Sequence, residues 1–140
     1  MPLPAQKFRE IVFQVLYAQD FLSTEPEEVV QMLMRELKVT RRSVLQAQEK
    51  AGQIHAKAEE LDQKIQSVSK EYTLERISRV EKIALRLGLC EMLYDMSVPP
   101  KVAIAEAIRL TRKFGTPESA HFVNAILDDA FKATKQPVSP

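Results

Sequence analysis

Catalysis in this sequence would have to start from two histidines, one cysteine and three pairs of adjacent carboxylates. His55 and His121 lie far apart in the chain, and each reads most simply as a lone histidine, not half of a proton relay. Cys90 falls in an apolar helical stretch, "LGLCEML", where a structural thiol is the better reading than a nucleophile. The acid pairs at 27–28, 59–60 and 128–129 read as solvated helix faces. There is no glycine-rich phosphate loop, no metal-spaced His/Asp/Glu cluster and no nucleophile elbow. The expectation is a protein that is not an enzyme and holds no metal or cofactor.

Binding chemistry is better represented. "KFGTPESAHFVN", Lys113 to Asn124, sets a cation, two phenylalanines, a histidine and an asparagine around one helix break. Lys113 and an open helix start at Thr116–Ser119 offer a charge and N–H donors to a phosphate. His121, Phe122 and Asn124 offer stacking and base-edge hydrogen bonds, the chemistry by which single-stranded RNA is recognised. Lys7 and Arg9 on the first helix add cations. Against this, Phe114 and Phe122 have spacings that suit a core, and Glu118 opposes a phosphate. A second surface is the series Arg76, Arg79, Lys82 and Arg86, a cationic ridge at three- and four-residue steps. Glu75 lies four residues before Arg79, and Glu81 interrupts the positive field, so a salt-bridged helix face and a partner-binding face both remain open.

These groups must be held by helices. With 140 residues and 45% apolar content, the chain has enough material for a real core. Three glycines are too few for a fold rich in hairpins, and the prolines fall at element ends. The fold class is all-α, with six or seven helices. Phe8, Ile11, Val12, Val15 and Leu16 form one face of a first helix. Thr24 and Glu27 predict a capping box for the second. Val44, Ala47, Ala51, Ile54, Ala58, Leu61, Ile65 and Val68 make a heptad-type seam, which Gly52 either breaks or does not. A helix capped by Thr73 runs to about Tyr94, with its second half buried nearly all round. The next one opens at Pro99 or Pro100 and ends at Gly115, read as a C′ glycine. Thr116-Pro117 then caps and starts the last helix. The division expected is one helical domain over 1–134 and a flexible tail over 135–140.

Net charge is +1, so a polyanion site must be a local patch. The single cysteine excludes an intrachain disulfide and suits a reducing compartment. No apolar run approaches a membrane span, and "MPLPAQKFRE" lacks a signal-peptide core. A cytoplasmic location without membrane contact is expected.

The segment "LERISRVEKIALRLGLCEMLYDMSVPPKVAIAEAIRLTRKFGTPESAHFVNAILD", Leu74 to Asp128, closely resembles the C-terminal half of the transcription antitermination factor NusB family. Arg9 with "LYAQD" is similar to the family's first helix, while 23–72 resembles it mainly in helical pattern. The resemblance implies two small helical bundles and a non-enzymatic role without cofactors. It implies binding to the NusE-like small-subunit ribosomal protein and, jointly with it, to boxA-type single-stranded RNA within the transcription elongation complex. By position, Glu81 in "VEK" matches a NusE-facing residue, with Glu75 as its neighbour. Phe122 in "FVN", with Glu118 and Ser119 before it, matches the RNA-proximal segment; Lys7 and Arg9 match an arginine-rich N-terminus.

The chain departs from that pattern in three places. The N-terminus lacks consecutive arginines, which predicts weaker, less salt-dependent RNA binding that needs the partner to complete the groove. Ala125 replaces a common glycine after "FVN", predicting altered packing of the last helix, and Tyr72 stands where a tryptophan is common. A helical interaction or dimerisation module without RNA contact is the alternative reading. The family includes monomers and dimers, and a homodimer is left open.

Overall fold

The computed structural model describes residues 3–21, 25–69 and 76–135. Among them are seven α-helices and no strand: α1 Ala5–Phe21, α2 Pro26–Leu37, α3 Arg41–Ala56, α4 Ala58–Val68, α5 Arg79–Tyr94, α6 Pro100–Phe114 and α7 Pro117–Lys135. They form two compact units, Met1–Ala56 and Lys57–Pro140. The seam over 44–68 is therefore shared by two helices. The break comes at Lys57, whose backbone leaves the helical region at φ −101° and ψ 7°, and not at Gly52, which lies exposed within α3.

In the Met1–Ala56 unit, α1 and α2 pack on α3. Val44, Ala47, Ala51 and Ile54, the first half of the seam, are fully buried. From α1 come Ile11, Val12, Val15 and Leu16, joined by Phe13 at 1% exposure; Phe8 is only half-buried. The expected capping box of α2 is replaced by another arrangement. Its N-cap is Glu25, which makes no side-chain cap bond, and Thr24 lies outside the described residues. Glu27 is committed elsewhere: Arg41 grips it with both guanidinium ends, Nη2 reaching Oε2 at 2.7 Å, and Gln31 donates to it at 3.1 Å. The hydrogen bonds from Arg41 first, and then from Gln31, lower the pKa of the Glu27 carboxyl to about 2. The Glu27–Arg41 pair links α2 to the start of α3, which Thr40 caps by accepting from Ser43 N–H at 3.1 Å.

In the Lys57–Pro140 unit, α5 packs against α4, α6 and α7. Its second half is buried nearly all round, as its sequence predicts: Ile83, Ala84, Leu85, Leu87, Leu89, Cys90 and Glu91 are all inside. Gly88 lets the other helices come close, since a Cβ there would lie 3.0 Å from both Ala107 Cβ and Leu127 Cδ1. Ala103, Ala107 and Leu110 of α6, and Ala120, Val123 and Leu127 of α7, are the buried 3–4 stripes that face inward. Truncating one such leucine costs about 2–5 kcal/mol.

The start of α5 differs from the sequence expectation. Thr73 lies outside the described residues; the helix begins at Arg79 behind Ser78, whose hydroxyl accepts from Glu81 N–H at 3.2 Å. Glu81 returns the bond by accepting from Ser78 N–H at 2.9 Å, a complete capping box. Of the expected cationic ridge, Arg76 precedes the helix, and Arg86 is bound bidentately to Asp62 of α4 at 2.6 and 2.8 Å. That portion of the ridge is a salt-bridged face.

Gly115 does end α6, but at φ −129° and ψ −135° and not as a left-handed C′ residue. The glycine is required by space: a Cβ would stand 2.9 Å from the Thr111 carbonyl oxygen that accepts the Gly115 N–H, and 3.0 Å from Val80 Cγ1. Ala125 is exposed, so its replacement of glycine leaves the packing of α7 unaltered. The expected tail falls largely in 136–140, outside the described residues.

Among the described residues, one carries a visible backbone cost. Lys38, the C-cap of α2, adopts the left-handed conformation at φ 54° and ψ 48°, where a side chain is disfavoured. Lys38→Gly should therefore raise stability by roughly 0.5–1 kcal/mol, net of the added chain entropy. Urea unfolding checks this, and a loss of stability would mean that the lysine side chain itself supports the cap.

Candidate nucleic-acid interface

The site begins at the corner between α6 and α7. Only Gly115 and Thr116 separate the two packed helices, so α7 folds back along α6. Thr116 is the N-cap the sequence suggests: its hydroxyl oxygen accepts from Ser119 N–H at 3.0 Å and donates to Ser119 Oγ at 3.1 Å. That arrangement changes the expectation of an open helix start. Pro117 has no N–H, and the Ser119 N–H is taken by Thr116, so this turn offers a phosphate few backbone donors.

The outer faces of the two helices instead enclose a groove of about 370 Å³. Ala105, Ile108 and Arg112 line it from α6; Pro117, Ala120, His121 and Asn124 line it from α7. Helical spacing puts these residues together. Pro117, Ala120, His121 and Asn124 fall at i, i+3, i+4 and i+7, while Ala105, Ile108 and Arg112 form a stripe offset from the buried Ala103–Ala107–Leu110 stripe. Four of the lining residues are apolar. The other three supply a guanidinium, an imidazole and an amide, and no carboxylate is among the lining residues.

The groove thus unites His121 and Asn124 of the sequence-derived candidates and separates them from the others. Lys113 is exposed beside the groove, its Nζ 5.9 Å from the Phe114 ring centroid, just within cation–π reach. Glu118 is exposed and does not line the groove; Ser119 is tied to Thr116; Phe122 is half-buried on another face of α7. Lys7 and Arg9 are half-buried on α1, in the other unit. Glu81 sits in the capping box of α5, with one of its carboxylate oxygens engaged by Ser78, and Glu75 lies outside the described residues.

Arg112 is the member that motif reasoning missed. Its signal was the offset α6 stripe, a run of small and apolar residues that ends on a cation. Arg109, three residues earlier, is held bidentately by the buried Glu106 at 3.0 and 3.2 Å. Among the described residues no carboxylate pairs with Arg112.

The arrangement supports binding by charge, stacking and amide hydrogen bonds. His55 is exposed on α3, His121 is exposed on α7 and Cys90 is buried. Among the described residues no group of three His, Cys, Asp or Glu side chains is placed to hold a metal, and no helix is long and apolar enough to cross a membrane.

Comparison with known proteins gives this geometry its family. The NusB family profile matches residues 6–132. Transcription antitermination protein NusB of Chlamydia pneumoniae is 39% identical over 128 residues, covering 91% of this chain and 80% of the relative. The fold matches T. maritima NusB with a TM-score of 0.77 and 29% identity over 94% of this chain and 93% of that one. It also matches a chain in the crystal structure of antitermination factors NusB and NusE in complex with double-stranded RNA, with a TM-score of 0.74 and 26% identity over 91% of this chain and 96% of that chain. With a profile match across nearly its whole length and a relative this similar, the chain belongs to the NusB family of transcription antitermination proteins.

Proposed function

We propose that this protein is a non-enzymatic antitermination subunit that binds boxA-type single-stranded RNA together with a NusE-like ribosomal protein, in the cytoplasm and within the elongation complex. The observation that carries the reading is the groove between α6 and α7, where Arg112, His121 and Asn124 converge without an opposing carboxylate in a NusB-family chain. A related NusB–NusE assembly has been crystallised with double-stranded RNA. For this chain unpaired RNA is favoured, because stacking and amide groups read splayed bases, which a duplex hides. Lys7, Arg9 and Lys113 supply phosphate contacts. Their small number makes binding weak for the chain alone and stronger once the partner adds its own cations.

Titration of boxA-type RNA and of a duplex of the same sequence, with and without the NusE-like protein over a salt series, tests this. Single-stranded RNA should bind better than duplex and gain from the partner. Reversing Lys7 and Arg9 to glutamate should weaken RNA binding and spare the partner, whereas Glu118→Gln should raise RNA affinity by removing an acid beside the phosphate path. Absence of any complex at low salt, with or without partner, would sink the proposal.

Glu81 is the proposed partner contact. A carboxylate has about four lone-pair sites, so the bond to Ser78 leaves capacity for a partner's cation. Glu81→Lys would confuse two effects, because losing the cap alone costs about 0.5–2 kcal/mol. Glu81→Gln preserves the capping box and removes the charge. It should keep the melting temperature and lower affinity for the NusE-like protein; unchanged affinity would place the partner elsewhere.

A further inference from the structure

We infer that the α6–α7 groove is a receptor for one unstacked nucleobase, with Asn124 reading the base edge, His121 stacking on its face and Arg112 holding the adjoining phosphate. The inference rests on the RNA-binding reading above and goes beyond it by assigning base recognition to one place on the molecule. Three observations carry it. The first is size: about 370 Å³ lies at the low end for small-ligand sites, room for one nucleotide and not for a helical stem. The second is the mixture of chemistry. Ala105, Ile108, Pro117 and Ala120 line the groove together with an amide, an imidazole and a guanidinium. A site built only for phosphate would have no use for the apolar members, whereas a planar base has two apolar faces and a polar edge. The third is a cation in the groove itself. Among the described residues Arg112 has no carboxylate partner, whereas Arg109, three residues earlier on α6, is bidentate to Glu106.

The side chains divide the work. The Asn124 amide presents one donor and one acceptor side by side, the pattern that pairs with a base edge. Arg112 contributes charge irrespective of sequence.

The test uses the full chain and a short fluorescein-labelled single-stranded RNA, with a series in which each base in turn is replaced by an abasic site. For the unaltered protein, one position should lose about tenfold in affinity when its base is removed, within the range for a single stacked base. In Asn124→Ala the whole RNA should bind about tenfold more weakly, and removing that same base should then cost nothing further. Ala105→Leu, which fills the groove from an exposed position, should behave in the same way. Arg112→Gln should weaken all sequences alike and reduce the salt slope by about one. If RNA binds but no abasic position couples to Asn124 or Ala105, the groove does not receive a base and the broader function stands. If no RNA binds with or without the partner, both fall together.

Discussion

The close approach of α5 to α6 and α7 at Gly88 is the contact on which the rest of the Lys57–Pro140 unit depends. With Ala107 and Leu127 already at the limit set by a missing Cβ, no larger residue fits unless the neighbours move. Small residues at Ala84, Ala103 and Ala107 keep the helices near enough for leucines from all three to fill the core at interior density. The Ser78–Glu81 box fixes where α5 begins, and the Asp62–Arg86 pair ties it to α4. Lys57 adds a cation–π contact to Tyr94, its Nζ 4.8 Å from the ring centroid, which anchors the start of α4 to the end of α5.

The groove follows from this packing. Once α6 and α7 have committed Ala103–Ala107–Leu110 and Ala120–Val123–Leu127 to α5 and to each other, their outward stripes lie side by side. Gly115 permits the corner, because the chain passes too near the Thr111 carbonyl and Val80 for any side chain. Thr116 and Pro117 restart the helix at once, which brings His121 and Asn124 onto the same groove as Arg112. The helix break in "KFGTPESAHFVN" is thus a means of bringing two helix faces together, and the face matters more than the helix terminus.

Much of this was legible in the residues themselves. The 3–4 stripes of α1, α3, α5 and α7 reflect burial on one side, and burial is what hydrophobic spacing records. Features that depend on a neighbour in space were not legible. Gly52 has the weaker helix propensity, yet the helix breaks at Lys57. Arg86 reads as a surface cation until Asp62, 24 residues away in the chain, is found beside it. Ala125 looks like a packing change only while its face is unknown. Glu81 shows the reverse: "SRVE" is a local capping signature, visible in sequence but masked by its resemblance to a partner-binding residue. Arg112 was hidden because a lone arginine near a helix end is common, and only the groove distinguishes it.

The claim that RNA is held on the outer α6–α7 face is tested most directly by ultraviolet cross-linking of single-stranded boxA-type RNA to the protein with its NusE-like partner, mapped by mass spectrometry. Cross-linked nucleotides should fall on peptides containing Arg112–Lys113 and His121–Asn124. Cross-links confined to α2, α4 or the exposed face of α3, with none on α6 or α7, would contradict the account.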